Sequence, residues 1–257
     1  WISSVIIFHL MKLIFENNSE DFDQHKQLAL ELNFEIVDVK KIDEIKSYKD
    51  TYFFVISEDR LFIKKGLSKN AKPIFSDFDA WFDNYDDKLL QNCLKTLPKN
   101  FNCLDLTAGF AKDAFEISKD IKCSSVHLIE KELWLFKLIE NGIDRASQKD
   151  VNNLLSKFRL TCQDNLSFLT NYSRKVDLIY IDPMFSGVQK ALAKRHMQAL
   201  RDLTSCESYE GLLEASLEKA SDRVIVKRHK NMSYLDGISP TRSVEGKVIR
   251  YDIYSTK

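Results

Sequence analysis

No two of the five cysteines, Cys93, Cys103, Cys123, Cys162 and Cys206, stand at CxxC spacing. That scatter argues against a disulfide framework and a thiolate zinc site, and a reduced, cytoplasmic setting fits it. Neither sign of charge is in excess, since 38 lysines and arginines meet 38 aspartates and glutamates. No global basic field therefore advertises nucleic acid, and such a role must rest on a local patch. Long apolar runs are missing as well. Trp1–Leu10 (WISSVIIFHL) is apolar but lacks a basic leader and is too short to cross a bilayer, so no membrane partner is expected. Met11 is an alternative start, which would make residues 1–10 an upstream extension. There is no internal repeat and no low-complexity tract.

What remains is an ordinary globular composition, 44% hydrophobic and 30% charged, in a chain of 257 residues. That length holds one large core plus a small appended lobe. Short β-rich runs at Phe34–Val39, Thr51–Ile56 and Arg60–Lys64, with a surface helix over Phe22–Leu32, predict a small α/β lobe over residues 1–72. Ile74, Phe78, Trp81, Phe82 and Tyr85 recur at helical spacing and read as core. From Asn102 onward strands and helices alternate, the pattern of a parallel sheet wrapped on both faces. Strands are expected at Asn102–Leu106, Ser125–Ile129, Phe158–Cys162, Val176–Ile181, Arg223–Val226 and Val248–Tyr254. Helices are expected at Lys112–Lys119, Lys131–Ala146, Asn165–Asn171, Gly187–Leu203 and Tyr209–Ala220.

The chain is organised around Phe101–Phe115, FNCLDLTAGFAKDAF, which reads as buried strand, glycine turn and helix. Gly109 allows positive φ and leaves room for a ligand against the backbone. Asp105, at the strand's carboxyl end, is placed to accept hydrogen bonds from a cationic or hydroxylated ligand. A bland strand-to-helix connection with a solvated Asp105 reads equally well from this stretch alone, because the second glycine of a GxGxxG loop is absent.

Glu130 closes the next strand about 20 residues later, where an acid can accept both ribose hydroxyls of a nucleoside cofactor or simply favour a helix start. Asp164-Asn165 follows the third strand and suits either an adenine amine or a helix cap. The sharpest signal is DLIYIDPMF, Asp177–Phe185. It delivers Asp182 to a sheet edge, locks the exit with Pro183 and adds Phe185 as a stacking ring. Carboxylate, carbonyl and aromatic in succession suit an exocyclic amine on a planar base. Lys190 and Lys194, with Lys227 and Arg228 after the fifth strand, form a candidate phosphate track beside it.

The order LDLTAGFAKDAF, HLIEK, IYIDPMFSGVQKALAKRHM, RVIVKR, IRYDIY resembles the J-type small-subunit ribosomal RNA methyltransferases. The resemblance covers about Phe101–Tyr254. It implies a Rossmann-like class I methyltransferase domain over residues 73–257, with a seven-stranded sheet whose last strand is antiparallel. It also implies S-adenosylmethionine as cofactor and methyl transfer to a guanine exocyclic amine in small-subunit ribosomal RNA, free or in an assembling subunit, with no metal. Carried onto matching positions, cofactor contacts would fall to Lys112, Asp113, Glu130, Lys131, Asp164, Asn165 and Asp182. Ala111 stands where the family motif has glycine, and the acidic run Phe82–Lys88 replaces a basic, glycine-rich one. A DNA or small-molecule N-methyltransferase, or a silent RNA-binding relative, stays open.

Overall fold

The computed structural model describes residues 11–16, 23–37, 48–68, 70–183, 195–204 and 209–256. The elements in chain order are β1 (Met11–Phe15), α1 (Asp23–Leu32), β2 (Glu35–Ile36), β3 (Tyr52–Ile56), β4 (Leu61–Lys65), α2 (Phe78–Asn84), α3 (Lys88–Leu94), β5 (Phe101–Asp105), α4 (Lys112–Ser118), β6 (Cys123–Glu130) and α5 (Leu133–Arg145). They continue as α6 (Lys149–Leu155), β7 (Phe158–Cys162), α7 (Asn165–Asn171), β8 (Val176–Ile181), α8 (Arg195–Leu203), α9 (Leu212–Lys219), β9 (Ala220–His229), β10 (Arg242–Glu245) and β11 (Ile249–Ser255).

The chain divides into two compact units. One takes described residues within 11–76, 137–145 and 195–204. Its sheet has the order β2-β1-β3-β4, with β1 parallel to both neighbours and β4 antiparallel to β3. Every residue of β3, YFFVI, is buried, which is why this run carries no polar alternation. Asp202 of α8 accepts bonds from Tyr52 Oη at 2.9 Å and Lys65 Nζ at 3.0 Å, tying that helix to β3 and β4.

The other unit takes described residues within 77–136, 146–183 and 209–256 and holds a seven-stranded sheet of order β10-β11-β9-β8-β5-β6-β7. β5 to β9 are parallel, while β11 runs antiparallel between β9 and β10. The antiparallel final strand is as expected from the resemblance. β7, β8 and α7 fall on their expected residues, whereas β10, α3 and α6 are additions. The apolar side chains of β5, β8 and β9, among them Leu104, Ile179, Ile181, Val224 and Val226, form one core cluster under α7 and α9.

In chain order the sheet grows from β5 outward through β6 and β7, then restarts on the other side of β5 with β8. The strand order therefore reverses between β5 and β8, and the carboxyl ends there open a crevice in any doubly wound sheet. Phe78 and Trp81 are buried as the aromatic stripe predicts, but Phe82 is 37% exposed, and Ile74 pairs with Ile63 across an isolated bridge before the helix begins. Among the described residues no helix is long and apolar enough to cross a membrane.

Candidate active site

The turn after β5 is built by two residues in the left-handed region, Gly109 (φ 56°) and Ala111 (φ 63°). The second is where the resemblance's motif has glycine, and the backbone shows why: an alanine there carries a steric cost of about 1–2 kcal/mol. Ala111 is also the N-cap of α4 and supplies no side-chain bond to it. The turn is fastened instead from the next strand. Glu130 Oε2 accepts from the Gly109 amide at 3.0 Å, and Oε1 accepts from the Glu132 amide at 2.9 Å. The acid expected to serve a ribose is thus a clasp on the glycine turn.

Asp105 is almost wholly buried, at 1% exposure, and accepts from the Thr107 amide at 3.0 Å. Burial pushes its carboxyl up to about 7, the Thr107 bond pulling the other way and the Asp113 and Asp182 charges adding to the rise. On β8, Asp182 leaves the strand with its amide donating to Thr107 Oγ1 at 2.6 Å, followed by a buried Pro183. So Thr107 stitches the ends of β5 and β8 together.

Sequence reasoning picked out Lys227 as a phosphate contact but missed that it organises these acids. Lys227 of β9 places its ammonium 2.5 Å from Asp113 Oδ2 and 3.0 Å from Asp182 Oδ2. Tyr180 Oη also donates to Asp113 Oδ2, at 2.6 Å. Burial disfavours both the ammonium and the Asp113 carboxylate, but their mutual attraction prevails: Lys227 is held well above the ordinary lysine range and Asp113 below the ordinary carboxylate range. Burial pushes Asp182 up against the pull of Lys227, with the Asp113 charge adding to the rise. Among the described residues the Asp182 side chain is bonded only through Oδ2.

Lys227 and Arg228, expected to face phosphate, do something else. Lys227 is enclosed by the two aspartates, and Arg228, only 4% exposed, turns to the opposite face and donates to the Ser233 carbonyl. Adjacent strand residues alternate faces, so a single track through both was excluded by geometry. Lys190, Lys194 and Phe185 lie outside the described residues.

Lys112 stacks its ammonium 3.6 Å from the Tyr85 ring centroid, and Lys131 pairs with Glu132 at 3.9 Å. Asn165 Nδ2 lies 3.4 Å from the Leu106 carbonyl, over the exit of β5. Asp164 caps α7 through the Ser167 amide at 2.9 Å. Asp164→Ala should therefore cost about 1 kcal/mol, a fall of about 2–4 °C in melting temperature for a chain of this size. Asp164→Ser should keep the cap and melt near wild type; equal melting of all three proteins would show that the cap stabilises nothing.

The acidic run before β5 is largely structural. Asp87 caps α3 through the Leu90 amide at 2.9 Å and accepts from Tyr251 Oη at 2.8 Å, while Asp83 accepts from Gln148 Nε2 at 3.2 Å. Among the described residues no group of three or more histidines, cysteines, aspartates or glutamates is placed to hold a metal.

A seven-stranded sheet with an inserted antiparallel strand, and carboxylates gathered where its order reverses, defines the class of Rossmann-like methyltransferases. The profile of a family described as "Putative SAM-dependent methyltransferase" matches residues 39–256, and the chain belongs to that family. The protein described as Ribosomal RNA small subunit methyltransferase J of Hydrogenovibrio crunogenus is 37% identical over 160 residues, 60% of this chain and 57% of that one. Its namesake in Pseudomonas syringae pv. syringae is 35% identical over 158 residues, 60% of this chain and 58% of that one. The aligned segments thus span somewhat under three-fifths of these relatives' lengths. A crystal structure of a SAM-dependent methyltransferase from Neisseria gonorrhoeae shares the fold, with a TM-score of 0.66 at 18% identity over 95% of this chain and 96% of that one.

Family membership brings S-adenosylmethionine, and the donor set suits it. The sheet edge offers carboxylates from Glu130 and Asp182, acceptors for hydroxyls and for a cation, with Asp105 buried at the end of β5 between their strands. A dinucleotide's pyrophosphate would be repelled there.

Proposed function

We propose that this chain methylates the exocyclic amine of a guanine in small-subunit ribosomal RNA. The observation that carries this reading is Asp182 at the crevice edge, one carboxylate oxygen pinned by Lys227 and the other open among the described residues. The names of the relatives support the RNA substrate.

In this reading Asp105, Gly109, Lys112, Asp113, Glu130, Lys131, Asp164, Asn165 and Asp182 form the cofactor wall. The bound cofactor supplies an electrophilic methyl group on a sulfonium, so no covalent enzyme intermediate is needed. A guanine amine is a weak nucleophile because its lone pair is drawn into the ring. Asp182 accepts a hydrogen bond from that amine, turns the lone pair towards the methyl and balances the positive charge that develops on nitrogen. Pro183 fixes the chain's exit, so the carboxylate keeps its direction. Phe185 and the Lys190–Lys194 stretch complete the proposal as base platform and phosphate contacts.

The test is single-turnover methyl transfer to small-subunit RNA, with the product nucleoside identified by mass spectrometry. Asp182→Asn should slow transfer at saturating cofactor by about 10²–10³-fold; Asn keeps an Oδ1 that can accept from Lys227, so melting should fall far less than for loss of Lys227 itself. Intact cofactor binding with no methylated guanine would move a small-molecule or DNA substrate ahead. A normal rate in Asp182→Asn would remove Asp182 from the chemistry.

A further inference from the structure

The segment leaving β9, from its last residue His229 to Tyr234, lies on the surface but is held from beneath by two buried arginines. Arg250 of β11, 4% exposed, donates through Nη1 to the Lys230 carbonyl at 2.5 Å and the His229 carbonyl at 3.3 Å, and through Nη2 to the Met232 carbonyl at 2.9 Å. Arg228 donates to the Ser233 carbonyl through Nε at 3.1 Å and Nη2 at 2.5 Å. The Lys230 amide adds a bond to the Val248 carbonyl at 3.0 Å. Arg250 is in turn fixed by Asp252, which is fully buried, at 2.8 Å.

Two buried guanidiniums are a large commitment to one exposed loop, because each loses its hydration. What they achieve is rigidity. Backbone ordering costs about 1–2 kcal/mol per residue, and a loop already ordered spares its partner that cost on binding. The loop's outward side chains also have a definite chemistry. Lys230 and Asn231 are exposed, and Tyr234 is 40% exposed, its ring 5.0 Å from the Arg250 guanidinium. The guanidiniums below are opposed by Asp252 and the more distant Asp236. The loop's position matters too, since it continues directly from β9, whose Lys227 reaches Asp182.

We infer that this loop is a preformed contact surface for single-stranded RNA at the mouth of the active site, with Tyr234 as a base-stacking platform and Lys230 as a phosphate contact. The inference rests on the ribosomal RNA reading above and names where that substrate is gripped. It moves the expected cationic contact from Lys227 and Arg228, which the fold uses internally, to the residues that Arg228 and Arg250 present. Sequence-tolerant stacking and a backbone contact would position the strand, leaving choice of the base to the pocket.

The experiment is binding of a fluorescently labelled, mixed-sequence single-stranded RNA by the full chain at several salt concentrations. Tyr234→Ala should weaken binding by about 5- to 150-fold, the effect of one lost stack, with the salt slope unchanged. Lys230→Ala should lower the slope of log affinity against log salt by about 0.7. Lys99→Ala, exposed at the opposite edge of the sheet, should change neither. Lys230 is exposed, so Lys230→Ala should melt as wild type does; Tyr234→Ala loses its contact with Arg250 and should melt slightly lower, while Tyr234→Phe, which keeps the ring, should retain both melting and RNA binding. Salt-dependent wild-type binding with both alanine variants of the loop unchanged overturns the loop assignment alone. A wild type with no salt-dependent RNA binding overturns it together with the substrate reading.

Discussion

Lys227→Met should lower stability by about 3–5 kcal/mol, the usual cost of removing one member of a buried ion pair. For a chain of this size that is a fall of about 6–20 °C in melting temperature. The reason lies in what stays behind. Asp113 and Asp182 would face each other across the space of the lost ammonium, their side chains 12% and 25% exposed. Two like charges in one site raise at least one carboxyl above its unfolded value of about 3.9. A raised folded value means the native state holds a proton that the unfolded chain has released. Stability of the variant therefore falls as pH rises through that interval. The deficit relative to wild type should be larger at pH 8 than at pH 5, and adding Asp113→Asn should recover part of it. Melting curves of the three proteins at both pH values are the check. A deficit independent of pH, or none, would mean that Lys227 is not the counter-charge of this pair.

Asp105→Asn should act in the opposite direction and make the protein more stable at pH 8. The carboxyl of Asp105 is pushed from 3.8 up to about 7, chiefly by burial. Between those values the folded chain binds a proton that the unfolded chain gives up, so wild-type stability is lost as pH rises from about 4 to about 7. At about 1.4 kcal/mol per pH unit the loss reaches at most about 4 kcal/mol. Asparagine carries no charge to desolvate, and its Oδ1 can still accept from the Thr107 amide. The variant should thus melt above wild type at pH 8 and close to it at pH 4. It should also bind the cofactor more weakly, because a carboxylate at this strand end is part of the proposed cofactor wall. Parallel melting curves across this range would reject the buried-charge account.

Much of the carboxyl edge was legible in the sequence because strand-then-acid is a local pattern. Asp105, Glu130 and Asp182 each follow an apolar run, and each stands at the end of a strand or one residue beyond it. The roles were less legible than the places. Glu130 was read as a ligand acceptor, but its first partners are amides of the turn it faces, and nothing in a linear pattern shows which backbone groups a turn leaves uncovered. The Lys227 triad was hidden for a different reason. Its partners are 114 and 45 residues away along the chain, and Lys227 sits in a run, KRHK, that resembles a solvated face. One signal was available, since neighbours on a strand point to opposite faces and Lys227 and Arg228 cannot serve one surface together. The missed elements were short: β1 has five residues, β10 has four and takes its form from pairing with β11, α3 has seven, and α6 is seven residues, KDVNNLL, with Val151 and Leu155 its buried positions. None carries enough periodicity to be distinguished from a loop.

The insertion of β11 between β9 and β10 has a consequence for how the chain acquires its fold. Tyr251, in that strand, donates to Asp87, 164 residues earlier, and Asp252 receives the arginine that orders the loop after β9. The first of these bonds joins segments that leave the ribosome far apart in time. β5 to β9 can begin to associate while the rest is still being made, but the edge of β9 stays open until residues 249–255 emerge. Ordering of the loop at the active-site mouth waits for the same residues. Until β11 pairs, the open edge of β9 is exposed to other chains, and the contact of Tyr251 with Asp87, of long sequence separation, is of the kind that closes slowly. Closure of the β9 edge and ordering of this loop are therefore gated by a strand that contributes none of the proposed cofactor or catalytic side chains.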